Sequence, residues 1–164
     1  MNEIFASGGA WVGKGIRSIE TGLFGLFENA KHRIVGTAYS ITPAAFDVPP
    51  TLIAAAIDRQ VHVTFVINRV SSQNNRAIID LLKLSRGAPE LLELYDFDLG
   101  EEADLHAKVI VADEEIAMIG SPNYSARGLL HNYEMAVSVR GKAAATMANM
   151  ILKITGPQYS RRLL

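Results

Sequence analysis

The residue types best suited to chemistry are concentrated between His106 and Glu134. His106 and Lys108 stand two apart in a run, His106 to Ala112, whose composition predicts a strand, so both side chains leave the same face. A histidine and a lysine opening an otherwise apolar strand are costly to bury without partners. They make sense where a strand end lines a pocket for an anion. Gly120-Ser121-Pro122-Asn123 supplies a second wall. Gly120 permits a tight turn after a strand predicted at Ile116 to Ile119. Ser121 suits a helix N-cap and Pro122 the first position of a short helix, whose free N–H groups would meet a phosphate oxygen. Asn123 adds an amide donor. Asn132 and Glu134 flank the start of another strand, and a carboxylate beside a histidine fixes its tautomer and supports its protonated form.

The elements that must position these groups follow from periodicity. Ile16 to Ala30 carries Ile16, Ile19, Leu23, Leu26 and Phe27 at helical spacing. Ile34 to Ser40 reads as a buried strand closed by Thr42-Pro43. Pro49-Pro50 opens a helix to Arg59. Val61 to Asn68 is a β-rich run, Asn74 to Leu84 an amphipathic helix stopped near Gly87-Ala88-Pro89, and Leu91 to Tyr95 a short strand. This alternation predicts parallel pairing in an α/β sandwich. His106 to Ala112 and Ile116 to Ile119, separated by Asp113-Glu114-Glu115, predict a hairpin. Glu134 to Val139 is a further strand and Lys142 to Ile154 a closing helix. The expected fold class is α/β, a mixed sheet with helices on both faces, in one domain over residues 1–164.

Composition narrows the function. A net charge of -1 is unlike a protein that coats a polyanion, so any nucleic-acid contact belongs to a local patch. The absence of cysteine excludes disulfides and thiolate metal sites. His32, His62 and His131 are scattered, without metal-ligand spacing, so neither a metal nor another cofactor is expected. Met1-Asn2-Glu3 lacks the layout of a signal peptide and no apolar run spans a bilayer, which gives the expectation of a cytoplasmic location. Gly8-Gly9-Ala10-Trp11-Val12-Gly13-Lys14 matches the core of a phosphate-binding loop. Gly15, however, stands where a Ser or Thr should hold magnesium, and Ile4-Phe5 is too short a strand to frame it. Glu101-Glu102 with Asp104 reads as a solvated acidic loop. Lys31-His32-Arg33 and Arg161-Arg162 read as solvated surface that could also touch a polyanion. Tyr39 and Arg69 lie at strand ends, where α/β sites gather, though core packing and a solvated loop serve them equally well.

His106, Lys108, Asp113, Gly120, Ser121 and Asn123 together resemble the HxK(x)4D(x)6GSxN signature of the phospholipase D superfamily, and Asn132-Tyr133-Glu134 resembles its downstream N-x-E. The signature covers the last third of the chain; the rest resembles the family more loosely, through strand order and Gly36-Thr37-Ala38-Tyr39-Ser40. The resemblance implies a metal-free phosphodiesterase. In the family one histidine attacks phosphorus to form a phosphohistidine, a second protonates the leaving alcohol, and water activated by that second histidine releases the product. Carried over, His106 would be the nucleophile, Lys108 and Asn123 would hold the non-bridging oxygens, Ser121 would assist, and Glu134 would orient His106. Asp113 counts among the site residues of the signature, at a hairpin corner where it shapes the turn.

The family commonly brings two such motifs to one active site, and this chain carries one. No lysine follows His32, His62 or His131 two residues on. A two-fold symmetric homodimer that places two copies of His106 across one site is therefore expected. Short single-motif members of the family resemble this case, being compact and acting as dimers, and the leading reading is a nuclease that hydrolyses DNA or RNA. A phospholipid head-group phosphodiesterase is the second reading; Leu23, Phe24, Leu26 and Phe27 would be its entry surface unless they pack the core. The third is a non-catalytic nucleic-acid-binding scaffold of the same fold.

Overall fold

A computed structural model describes residues 2–43, 48–73 and 75–163. In chain order its elements are β1 (Glu3–Ala6), β2 (Arg17–Ser18), α1 (Ile19–Asn29), β3 (Arg33–Ala38), α2 (Pro50–Asp58), β4 (His62–Asn68), α3 (Arg76–Gly87), β5 (Leu92–Phe97), β6 (Val109–Ala112), β7 (Ile116–Gly120), β8 (Met135–Arg140), α4 (Lys142–Lys153) and β9 (Ser160–Leu163). The strands form one sheet in the order β2-β1-β8-β7-β6-β3-β4-β5-β9. β3, β4 and β5 are parallel, as the strand–helix alternation requires, and β6, β7 and β8 form an antiparallel meander beside β3. Helices α1, α2 and α3 cover one face over a core that includes Phe27, Ile34, Phe65 and Leu94. Helix α4 covers the other, over Val35, Val66, Val111 and Ala148. The mixed sheet with helices on both faces is as expected.

Several boundaries move for local reasons. Helix α1 starts at Ile19 because the Ser18 side chain accepts from the Thr21 amide; Ile16 lies outside it and is exposed. The expected helix start at Asn74 lies outside the described residues, and Asn75 caps α3 at Ile78. Ile4 and Phe5 belong to β1, which pairs with β8, and the loop from Gly8 to Lys14 leads into β2 rather than into a phosphate-binding helix. Arg161 and Arg162 sit on edge strand β9, where they pair with Asp96 and Glu93. Among the described residues no helix is long and apolar enough to cross a membrane.

This topology fixes where side chains meet. Because β6 and β8 run against β3, β4 and β7, the starts of β6 and β8 and the ends of β3, β4 and β7 share one edge of the sheet. Tyr39, Asn68, Lys108, Ser121 and Glu134 all adjoin that edge. The corner at Asp113 lies at the opposite edge, beside the start of β3.

Candidate active site

The ladder of β6 begins at Val109, so His106-Ala107-Lys108 is an extended approach to the strand and not part of it. Three buried polar contacts hold this segment in place. On β3, the Thr37 hydroxyl donates to the Ala107 carbonyl (2.9 Å) and accepts from the Val109 amide (3.1 Å). On β4, the Asn68 side-chain carbonyl accepts from the Leu105 amide at 2.8 Å. Asn68 also donates to Asp104 (3.3 Å), and Arg69 pairs with Asp104 at 3.1 Å and donates to the Gly100 carbonyl. Asp104 is thus an anchor of the acidic loop, whereas Glu101 and Glu102 are exposed as expected. Thr37 and Asn68 are almost fully buried. A polar side chain in an otherwise apolar, doubly covered strand demands a partner. That demand is the sequence signal for both, and apolar periodicity alone does not register it.

His106 and Lys108 do share a face. The Lys108 ammonium lies 3.1 Å from His106 Nδ1 and 2.9 Å from the His106 carbonyl oxygen. The Tyr39 ring leans on His106 with centroids 4.4 Å apart, and the Lys108 cation is 5.2 Å from the Tyr39 centroid. Tyr39 is only half-buried, so it flanks the histidine and does not belong to the core. Its segment is held by Gln73, which donates to the Tyr39 carbonyl (3.0 Å) and accepts from the Ile41 amide (2.9 Å). Lys108 is 8% exposed. Burial pushes its pKa below the ordinary 10.5, and the charge of Glu134 offsets only part of that fall.

The second wall departs from the expected helix start. Ser121-Pro122-Asn123 is non-helical, and only a short π-helical turn, Arg127–His131, follows. The reason is that Ser121 continues the β7–β8 pairing. Its amide donates to the Met135 carbonyl (3.0 Å), and its hydroxyl accepts from the Met135 amide (3.3 Å) and bonds the Glu134 carboxylate. Gly120 serves close approach more than a turn: a β-carbon there would stand 2.5 Å from the Met135 carbonyl oxygen. Glu134 is joined to Ser121 and, at 3.5 Å, to Asn132; the ring stacked on His106 is that of Tyr39. Asn123 is half-buried, with Oδ1 shielded from solvent and without a partner among the described residues. The neighbouring Tyr124 packs its ring on Phe65, and burial drives its hydroxyl pKa far upward.

The structure sets Lys108 against His106 and joins Ser121 to Glu134, whose charge acts on Lys108; Asn123 follows two residues after Ser121, and Asp113 is apart from all of them. Asp113 turns the β6–β7 hairpin with Glu114, both at positive φ (53° and 58°). Its carboxylate accepts from the amides of Lys31, His32 and Arg33, each at 2.8 Å. Burial alone would raise its pKa, but these three donors outweigh it and hold the carboxyl below its ordinary 3.8. Lys31-His32-Arg33 is therefore the partner of Asp113 at the far edge of the sheet. A cleft of about 640 Å³ also lies there, between α1 and the sheet. On its inner side Lys108 meets a cavity of only about 10 Å³, room for one water at most, while His106 and Ser121 are exposed. Among the described residues no group of three or more acidic or histidine side chains could hold a metal ion.

An ammonium beside an imidazole, with a carboxylate whose charge acts on that ammonium, can receive a phosphodiester anion and present a ring nitrogen to it. Comparison with known proteins gives the same class. Residues 23–153 match the family model described as "Cardiolipin synthase, PLD-like domain". The chain belongs to this phospholipase D-like family of phosphodiesterases. It is 25% identical over 140 residues to the DISARM protein DrmC of Bacillus paralicheniformis, covering 85% of this chain and 57% of that protein. It thus spans little more than half the length of that curated relative. Its fold matches a phospholipase D family member, Nuc from Salmonella typhimurium, at a TM-score of 0.76 and 21% identity, over 99% of this chain and 97% of that one. NucT from Helicobacter pylori matches at 0.64 and 16% identity, over 93% and 96%.

Proposed function

We propose that the chain is a metal-independent nuclease that cleaves DNA or RNA phosphodiester bonds through a phosphohistidine on His106. The observation that carries this reading is the Lys108 ammonium 3.1 Å from the His106 ring, at the edge of the sheet that Ser121 and Glu134 also adjoin. A ring nitrogen of His106 attacks phosphorus and the bond to the leaving oxygen breaks, that oxygen taking a proton from a second imidazole. Water then attacks the phosphohistidine, gives its proton to the same imidazole, and frees His106. Lys108 and Asn123 hold the non-bridging oxygens as charge builds on them. Glu134 and Ser121 fix the wall opposite the histidine.

The second imidazole is His106 of another copy. Among the described residues nothing encloses the cluster, and no other histidine of the chain carries the motif. A two-fold axis beside the site would supply the missing acid and its second wall together. The solved relatives support an active unit of this size, since each is covered almost completely by this one motif-bearing chain. The phospholipid reading keeps one specific support, the cardiolipin synthase in the name of the matching family model.

The test is cleavage of single-stranded DNA, duplex DNA, RNA and a phospholipid in EDTA, with His106→Ala alongside. We expect nucleic acid to be cut in EDTA and the variant to lose at least about 10⁴-fold, as removal of a covalent nucleophile does. Magnesium-dependent cleavage that survives in the variant would show that His106 is not the nucleophile. Equilibrium sedimentation of the active protein should give a dimer; activity in a strictly monomeric protein would exclude the shared site.

A further inference from the structure

A near-neutral chain that acts on a polyanion needs a local binding patch, and one such patch adjoins the cluster. Trp11 and Tyr133 pack edge to face, ring centroids 5.0 Å apart at 88°. Yet both remain exposed, Trp11 at 38% and Tyr133 at 57% of full exposure. Rings that served only packing would be covered. Instead hydrogen bonds tie the segments that carry this pair together at the surface. The Ser7 hydroxyl, itself buried, donates to the Gly128 and Asn132 carbonyls (3.1 and 2.7 Å), and the Ser7 amide donates to the Glu134 carbonyl at 3.0 Å. The loop that bears Trp11 is thereby tied to both neighbours of Tyr133. Gly8, at φ 90°, lets the loop pass under the ring, since a β-carbon there would lie 2.8 Å from Tyr133.

Two further features give the patch its sign and its place. Lys14 and Arg127 are exposed and make no ion pair among the described residues, while the nearby Glu3 is neutralised by Arg17. Tyr133 directly precedes Glu134, whose carboxylate bonds Ser121 in the cluster. An exposed aromatic pair, with Lys14 three residues past Trp11 on the same loop and Arg127 on the turn whose carbonyl accepts from the Asn132 amide, fits unstacked bases on an anionic backbone, because every base has a face to stack and a duplex hides those faces.

Resting on the nuclease reading, we infer that Trp11 and Tyr133 form a base-stacking platform, with Lys14 and Arg127 as its phosphate contacts, that directs single-stranded nucleic acid across the His106 site. Bases next to the bond to be cut lie on the rings, and duplexes engage only where they are frayed.

Trp11 is the one tryptophan of the chain, so its emission reports on the platform directly. The full chain carrying His106→Ala is titrated with a short oligothymidylate, following Trp11 fluorescence and oligonucleotide anisotropy together. The expected result is quenching that saturates at the anisotropy midpoint, with a weaker response to a duplex of equal length. Tyr133→Ala should weaken binding about tenfold, the loss of one stacked base. Lys14→Ala and Arg127→Ala should each weaken binding and flatten its salt dependence. Oligonucleotide that binds and is cut by the intact enzyme, with Trp11 emission unmoved and Tyr133→Ala unchanged, overturns the platform and leaves the nuclease standing. Dissociation of a dimer by Trp11→Ala and Tyr133→Ala would assign the rings to subunit packing. Quenching by phosphatidylglycerol vesicles but not by oligonucleotide would assign them to lipid. If a small aryl phosphodiester is hydrolysed while nucleic acid is neither bound nor cut, the nuclease reading falls and the platform with it.

Discussion

Strand β6 carries a motif residue just beyond each of its ends, and the two are treated in opposite ways. At the Asp113 end the charge is matched: three backbone amides converge on one carboxylate, and its pKa falls. At the Lys108 end a cation is drawn into the protein until burial lowers its pKa, with its donors turned to the neighbouring histidine. The first arrangement stabilises the hairpin and the start of β3. The second holds a cation where its field acts through little water, which is where a phosphoryl anion gains most from it. A linear motif can therefore join a group that does chemistry to one that fixes the strand presenting it.

The contrast is tested most strongly at Lys108. Lys108→Ala should lower kcat/KM by about 10²–10³-fold, the usual loss when one preorganised charge donor is removed. The burial of Lys108 also sets a pH limit. Its ammonium loses a proton below the ordinary 10.5, so the alkaline limb of kcat/KM should fall below that value. Lys108→Arg keeps the charge at any accessible pH, and the limb should move upward even if the wider guanidinium lowers the maximum. A limb that stays in place would show that another group sets it.

An intermediate effect is expected at the residues that hold the histidine segment. Asn68→Ala leaves the buried Leu105 amide without its acceptor, and Thr37→Val leaves the Val109 amide without its acceptor and the Ala107 carbonyl without its donor. Each should cost about 1–3 kcal/mol of stability in a denaturant melt. Each should also reduce kcat about tenfold or more at nearly constant KM, since misplacement of a reacting group acts on the chemical step. A stability loss with kcat intact would reduce both residues to structural polar contacts.

These two also mark the limit of what the sequence discloses. Apolar period and turn residues were enough for the parallel strands, the hairpin and the helices on both faces, because burial sets that pattern residue by residue. His106, Lys108, Ser121, Asn123 and Glu134 were legible as a group through their spacing. Strands β1, β2 and β9 were not, being two to four residues long and, in β9, bearing Arg161 and Arg162 on an edge. The expected helix at Ser121-Pro122 failed because its local signals were outweighed by tertiary pairing with Met135 and Glu134. Tyr39 was legible only as a strand-end residue that core packing explained equally well, and Gln73, which holds its segment, meets the site only through folding.

The smallest effect on turnover belongs to Asp113. Asp113→Asn keeps one acceptor and should leave kcat near wild type, since the side chain is at the far edge of the sheet from His106. Stability should fall by about 1–2 kcal/mol at neutral pH, less than for a buried site because Lys31 and His32 are exposed and their amides recover water. The pH dependence gives the sign. The carboxyl is held below 3.8 in the folded chain, so its contribution is fully present above the unfolded value and is lost as pH falls through the folded one. The gap in stability between wild type and Asp113→Asn should therefore close on acidification below about pH 4. Urea melts across that range measure it. A gap that persists in acid would mean that shape, not charge, is what Asp113 contributes, and a collapse of kcat would place it with Lys108 after all.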